Sequence, residues 1–341
     1  MSPSNPPDAP SYEQADFSAD PGKLPDLPPV EVPSASFVVQ LFVIPAVVVL
    51  VVIVVWLLFG KLAGGERDAM EYVRHIQSNS GSWRSAYELA SLIQNDSKLG
   101  SDPRLLGELT DLLGAELDKK GDPKLIQYLE LTLGAFQTLD ATTSSGQAVD
   151  PIAVLARALE PKYETPIRMA AAASLAKQAA RLNGKLDDAR AVKALASAAT
   201  DEVVELRQVA VYALGFFGGD AAAEALRERL QGDEDRFVRY NAAVALGRRG
   251  DQASAATLRE MLSTSSLDRL IDLPTSTEKE NKIEAIQHEA LEAVDTSVSA
   301  GATGFAKGFN PELEALTRSG LAGVRSQAKE ILQKLQSTPA S

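Results

Sequence analysis

The sequence predicts an all-α solenoid of about six or seven helical hairpins, preceded by one transmembrane helix. Three observations carry this prediction: a nine-residue pattern recurs five times, helical stretches alternate with Gly-Asp and Asp-Pro breaks and show no β-rich alternation, and one long apolar run lies near the N-terminus. A recurring unit of this kind marks repeats that stack side by side and present one long surface.

Residues 1–36 hold nine of the eighteen prolines and six acidic residues against Lys23 alone. Such a segment cannot collapse on a core and reads as a disordered, partly polyproline tail. Residues 37–59 come next, rich in Val, Ile and Leu and broken only by Gln40 and Pro45. At about 1.5 Å per residue a helix of this length crosses a hydrocarbon layer of about 30 Å. The long acidic stretch before it does not suit a secretory signal. A buried core helix is rarely this apolar on every side. Trp56 suits the interfacial end, and membrane helices accommodate a proline such as Pro45 with a kink. Lys23 on one side, against Lys61, Arg67 and Arg74 on the other, places residues 60–341 in the cytoplasm by the positive-inside rule.

In residues 60–80 a juxtamembrane helix is expected, with Met70, Val73 and Ile76 on one face. The solenoid is expected over 81–338, with breaks such as Gly121-Asp122-Pro123, Gly218-Gly219-Asp220, Gly232-Asp233 and Gly250-Asp251. Residues 263–281 form an insertion whose Leu267, Leu270, Ile271 and Leu273 are too apolar for a solvated linker. They either pack back onto the array or form a docking element. Thr277 followed by Glu280 reads as a capping box opening the long helix through His288.

The five copies are IRMAAAASL from Ile167, LRQVAVYAL from Leu206, VRYNAAVAL from Val238, IQHEALEAV from Ile286 and VRSQAKEIL from Val324. Their starts lie 39, 32, 48 and 38 residues apart, which suits a two-helix repeat with insertions in the longer ones. At about 100° per residue, positions 1, 5, 6 and 9 share one arc with position 2. That arc is aliphatic or Ala, apart from the position-2 residue and Lys329, so Leu175, Leu214 and Leu246 are expected in the core. Positions 3, 4 and 7 point away. The recurring Arg168, Arg207, Arg239 and Arg325 at position 2 are expected to be structural, holding neighbouring turns through nearby carboxylates.

On these residues the chain resembles the short HEAT-like repeats of phycobilisome lyase-type proteins. The resemblance is best in Asp235-Arg236-Phe237-Val238-Arg239-Tyr240-Asn241-Ala242-Ala243-Val244-Ala245-Leu246-Gly247, strong over 165–262 and weaker over 81–160 and 280–338. It implies that the Arg-bearing helix lines a concave face whose outward positions meet a partner. Those positions include Met169, Gln208, Tyr212, Tyr240, Asn241, Val244, His288, Glu289 and Glu292, together with Val209, Ser326 and Gln327. Tyr212 and Tyr240 stand out, because exposed tyrosines commonly anchor interfaces.

Chemistry is harder to find. There is no cysteine and only His75 and His288 supply imidazole, so thiolate and multi-histidine metal sites are not expected. The His288-Glu289 pair is similar to the iron-binding pairs of deoxyhypusine hydroxylase, a HEAT-repeat enzyme. Its iron site needs several such pairs, whereas the other copies here carry Met169-Ala170, Gln208-Val209, Tyr240-Asn241 and Ser326-Gln327. Lyase activity finds no cysteine to hold a pigment and no clear acid-base pair, and the likeness is to the repeat unit alone. Gly301, Gly304 and Gly308 lack the Lys-Ser/Thr of a phosphate loop. The net charge of −12, spread along the chain, argues against nucleic acid. The expectation is therefore a membrane-anchored, non-catalytic scaffold without cofactor or metal, whose partners are a protein and, through 37–59, the lipid bilayer. The alternatives are an assembly factor or accessory subunit of a membrane complex, and a lyase- or hydroxylase-related enzyme.

Overall fold

The computed structural model describes residues 49–55, 69–78 and 83–337. Most of the expected transmembrane segment lies outside the described residues. Its part over 49–55 is helical, with Val49 through Val55 all exposed. No helix among the described residues is long and apolar enough to cross a membrane. Residues 1–66 and 67–341 separate into two units, and the repeats lie in the second.

The second unit is all-helical among the described residues, apart from one isolated antiparallel bridge between Thr142 and Ala148. In chain order the helices are α1 (Ala69–Ser78), α2 (Trp83–Asn95), the single turn α3 (Ser97–Gly100), α4 (Pro103–Asp118), α5 (Pro123–Leu133), α6 (Pro151–Ala158), α7 (Thr165–Arg181), α8 (Ala189–Ala198) and α9 (Val204–Leu214). They continue with α10 (Gly219–Gly232), α11 (Arg236–Arg248), α12 (Ala255–Leu262), α13 (Thr264–Leu270), α14 (Ser276–Ser299), α15 (Thr303–Lys307), α16 (Asn310–Leu316) and α17 (Ala322–Ser337).

Local chemistry sets the helix starts. Asp102, Asp122 and Asp150 each accept a hydrogen bond from a backbone N–H of the helix they precede, and each is followed by a proline at the first helical position. The aspartate satisfies a donor that the helix leaves open, and the proline lacks the N–H that would go unpaired. Asp188, Asp235 and Asp251 cap later helices in the same way. The Asp-Pro breaks and Gly250-Asp251 are thus helix entrances, whereas Gly232-Asp233 closes α10. The long helix α14 opens on Thr275, two residues before the expected Thr277. Thr275 Oγ1 accepts from the Glu278 N–H at 3.1 Å and donates to the Glu278 carboxylate at 3.0 Å, so the N-cap is Thr275, paired with Glu278 through its hydroxyl.

The helices form two layers. In one, α2, α5, α7, α9, α11, α14 and α17 pack each on the next. In the other, α1, α4, α6, α8 and α10 succeed one another, and α12 packs on α16. Each first-layer helix pairs with the second-layer helix that precedes it, giving seven hairpins among the described residues. The Arg-bearing helix is therefore the second helix of its hairpin. Helix α1 buries Ala69, Val73 and Ile76 in the same core as the rest, so the array extends back to residue 69 and the boundary expected at 81 falls inside its first hairpin.

The core between the layers obeys the nine-residue template. Positions 1, 5, 6 and 9 are buried in the four copies from Ile167, Leu206, Val238 and Ile286, with Leu175, Leu214 and Leu246 fully enclosed. Position 8, which the template leaves unassigned, is buried as well: Ser174, Ala213, Ala245, Ala293 and Ile331. It lies about 20° from position 1 on a helix, and the small side chains of Ser174, Ala245 and Ala293 face the preceding helix of the layer, against Gly134, Gly215 and Gly247. In the last copy Lys329 is exposed and Ile331 takes the core place, where no further repeat succeeds it among the described residues.

The insertion packs back through two of its four apolar residues. Leu267 and Ile271 are buried, and Arg236 donates to the Leu270 carbonyl at 3.1 Å. Leu270 and Leu273 stay partly exposed.

Candidate partner-binding site

The recurring arginines connect turns. Arg207 Nη1 donates to the carbonyls of Asp201 and Glu202, in the turn before its own helix. Arg239 does the same to Asp233 and Glu234, and Arg325 to Ser319 and Gly320. Two of them also reach forward. Arg168 pairs with Asp201 at 2.7 Å, and Arg207 grips Asp233 with Nε at 3.0 Å and Nη2 at 3.1 Å. Where the spacing lengthens, Gln287 replaces Arg and bonds Leu262 O and Thr264 Oγ1. Arg168 and Arg207 thus join neighbouring hairpins, while Arg239, Gln287 and Arg325 fasten the turn of their own hairpin.

The predicted surface positions divide. Tyr212, His288, Glu289 and Glu292 are exposed, while Met169, Gln208 and Asn241 are half-buried. Tyr240 is only 3% exposed, which corrects the expectation that it faces a partner. Its hydroxyl donates to Glu260 on α12 at 2.6 Å and its ring meets Phe237 edge-on, so the side chain turns into the array toward the next hairpin. Burial, and then the Glu260 carboxylate, push the hydroxyl above its ordinary range. Val244 is also buried, a second correction. Its helix α11 sinks between α9 and α14, because small residues let these helices close in. A Cβ at Gly215 would lie 2.9 Å from the Cβ of Ala245. Gln208 bonds Asp235 and Asn241 bonds the Gln208 carbonyl, so these two brace neighbouring helices.

The sinking of α11 leaves a cleft of about 840 Å³ between α9 and α14. Tyr212 and Phe216 form one wall, with ring centroids 4.9 Å apart and an edge-to-face angle of 74°. Glu289, Glu292 and Thr296 of α14 form the other, and Arg248 and Arg249 come from the end of α11. The Arg248 guanidinium lies over the Phe216 ring at 5.7 Å and meets Glu289 at 3.6 Å and Glu292 at 3.4 Å. Its Nε is buried without a hydrogen-bond partner. Arg249 donates to the Phe217 carbonyl, and burial, with Arg227 behind it, holds this guanidinium below its ordinary range.

Phe216, Arg248 and Arg249 escape a nine-residue template because they lie beyond its end. Phe216, Arg248 and Thr296 all fall at position 11 of their copies, on the same stripe as positions 4 and 7. A template two residues longer finds them. His288 does not reach the cleft; its Nδ1 lies 2.8 Å from Gln327 Oε1. Among the described residues, no group of three or more His, Cys, Asp or Glu side chains is arranged to hold a metal ion.

Residues 152–240 and 192–273 match the family model of HEAT repeats. No curated protein sequence matches the chain. Among solved structures, human deoxyhypusine hydroxylase in complex with glycerol is similar at 18% identity and a TM-score of 0.30, over 81% of this chain and 87% of that one. An engineered protein is similar at 17% identity and a TM-score of 0.38, over 80% of this chain and 97% of that one. Over 152–273 the array therefore carries HEAT repeats.

Proposed function

We propose that this chain is a membrane-anchored, non-catalytic scaffold that captures a protein partner in the cleft between α9 and α14. The observation that carries the reading is the cleft itself. Its exposed side chains Tyr212, Glu289 and Glu292 come from the stripe that does not fill the core, and Tyr212, 49% exposed, is backed by Phe216. An exposed aromatic with a packed base contributes binding area at low entropic cost. Anchoring rests on the apolar run over 37–59, and the cytoplasmic placement of the array rests on Lys61, Arg67 and Arg74. A membrane anchor confines the cleft near the bilayer and raises its effective concentration for membrane-associated partners.

The test is affinity capture from membranes dissolved in mild detergent, comparing the full chain with Tyr212→Ala. A stoichiometric partner recovered with the first and lost with the second, at unchanged thermal unfolding, supports the reading. Equal recovery with both removes the cleft from the binding surface.

A further inference from the structure

The cleft is lined by two carboxylates and two guanidinium groups, but the carboxylates are met only at a distance. Glu289 and Glu292 both turn to one nitrogen, Arg248 Nη2, at 3.6 and 3.4 Å. Some pairs in the array close further, to 2.7 Å between Arg168 and Asp201 and 2.6 Å between Arg190 and Asp150, while Arg259 and Glu312 also stand 3.4 Å apart. Arg248 is also held over Phe216, and Arg249 is turned to the Phe217 carbonyl. Two carboxylates, 54% and 50% exposed, thus share one distant cation.

The same cleft is lined by the exposed ring of Tyr212, with Phe216 between it and Arg248. Carboxylates on one wall and an aromatic ring on the other suit a guanidinium or ammonium carried on an apolar stem. The long-range field has the same sense. Residues 1–36 contribute −5 of the net −12, six acidic residues against one lysine, which leaves −7 on the remainder. An acidic segment would meet both glutamates and find both arginines engaged.

We infer that the cleft takes a basic segment of its partner, an Arg or Lys inserting between Tyr212 and the Glu289 and Glu292 pair; this rests on the scaffold reading above. The segment competes with Arg248 for the carboxylates, so it binds by exchange of one long ion pair for a shorter one.

The test uses the full chain in mild detergent and three labelled helical peptides of Ala and Leu carrying Arg, Gln or Glu at the same positions, read by fluorescence anisotropy. The Arg peptide is expected to bind about tenfold more tightly than the Gln peptide. Its advantage shrinks as salt rises, and the double variant Glu289→Lys, Glu292→Lys reverses the preference toward the Glu peptide. Both positions are exposed, and an unchanged thermal unfolding curve shows that the variant is folded. Equal binding of the three peptides, preference of the unaltered chain for the Glu peptide, no binding by any, or an Arg preference that survives the double variant each overturn the inference. If Tyr212→Ala abolishes partner capture while the Arg peptide is ignored, the scaffold reading stands and the basic segment falls. If capture also ignores Tyr212→Ala, both fall.

Discussion

Arg207 and Asp233 form a two-pronged ion pair across neighbouring hairpins, at 3.0 and 3.1 Å, with the Asp233 side chain 2% exposed and Arg207 14% exposed. Asp233 also accepts the backbone N–H of Asp235 at 2.9 Å, so one carboxylate shapes its own turn and holds the previous helix. Planar guanidinium and carboxylate fit each other with two parallel bonds, a geometry that lysine cannot reproduce.

Asp233→Ala leaves the Arg207 guanidinium buried without its counterion, and such a loss costs about 3–5 kcal/mol. Urea unfolding measures it. Glu160→Ala removes the pair with Lys162, whose side chains are 46% and 55% exposed, and the same experiment should show a much smaller shift. Equal shifts would remove the arginine ladder as the tie between hairpins.

Leu246→Ala should cost about 2–5 kcal/mol, because Leu246 is fully enclosed and the cavity it leaves cannot be filled by the flanking helices. Leu270, 36% exposed on the insertion, serves as the comparison, and its replacement by Ala should leave the unfolding midpoint nearly in place.

These two residues also show what the sequence makes legible. Leu246 sits at the ninth place of a pattern repeated five times, and repetition separates core from surface wherever every copy obeys the same packing. Asp-Pro pairs mark helix entrances because capping is local chemistry. Tyr240 fails on the same logic, since its burial depends on Glu260, a residue of the next hairpin that the template does not contain. Val244 fails because the depth of α11 is set by Gly215 and Ala245, whose close approach is a relation between helices. Half of the cleft wall is legible in Tyr212, Glu289 and Glu292; Phe216 and Arg248 lie two residues, and Arg249 three, beyond the end of the template.

Gly250 has φ at +71°, and a Cβ there would lie 2.3 Å from the Cβ of Ala302. Gly250→Ala therefore costs about 1–2 kcal/mol for the left-handed backbone alone, and the clash adds to it. Gly232, where a Cβ would meet nothing within 4 Å, is the control. Differential scanning calorimetry should show a lowered Tm for Gly250→Ala and none for Gly232→Ala. A Tm unchanged by Gly250→Ala would mean that this turn is conformationally free.

Glu130 lies on α5, which packs between α2 and α7; it is fully buried, and neither carboxylate oxygen has a hydrogen-bond partner. Burial pushes its pKa well above the ordinary 4.5, so the folded protein keeps the proton that the unfolded chain releases. The stabilising difference is complete below the unfolded pKa and is lost as pH rises toward and through the folded value, because the unfolded state gains by ionising while the native state cannot. Glu130→Gln keeps the shape and removes the proton. Urea unfolding of both proteins at a series of pH values should therefore show the stability of the variant relative to the parent increasing as pH rises above the usual carboxylate range. A difference that stays constant from acid to alkaline pH would mean that Glu130 ionises in the folded state as readily as in the unfolded one, and that the core around α5 admits water.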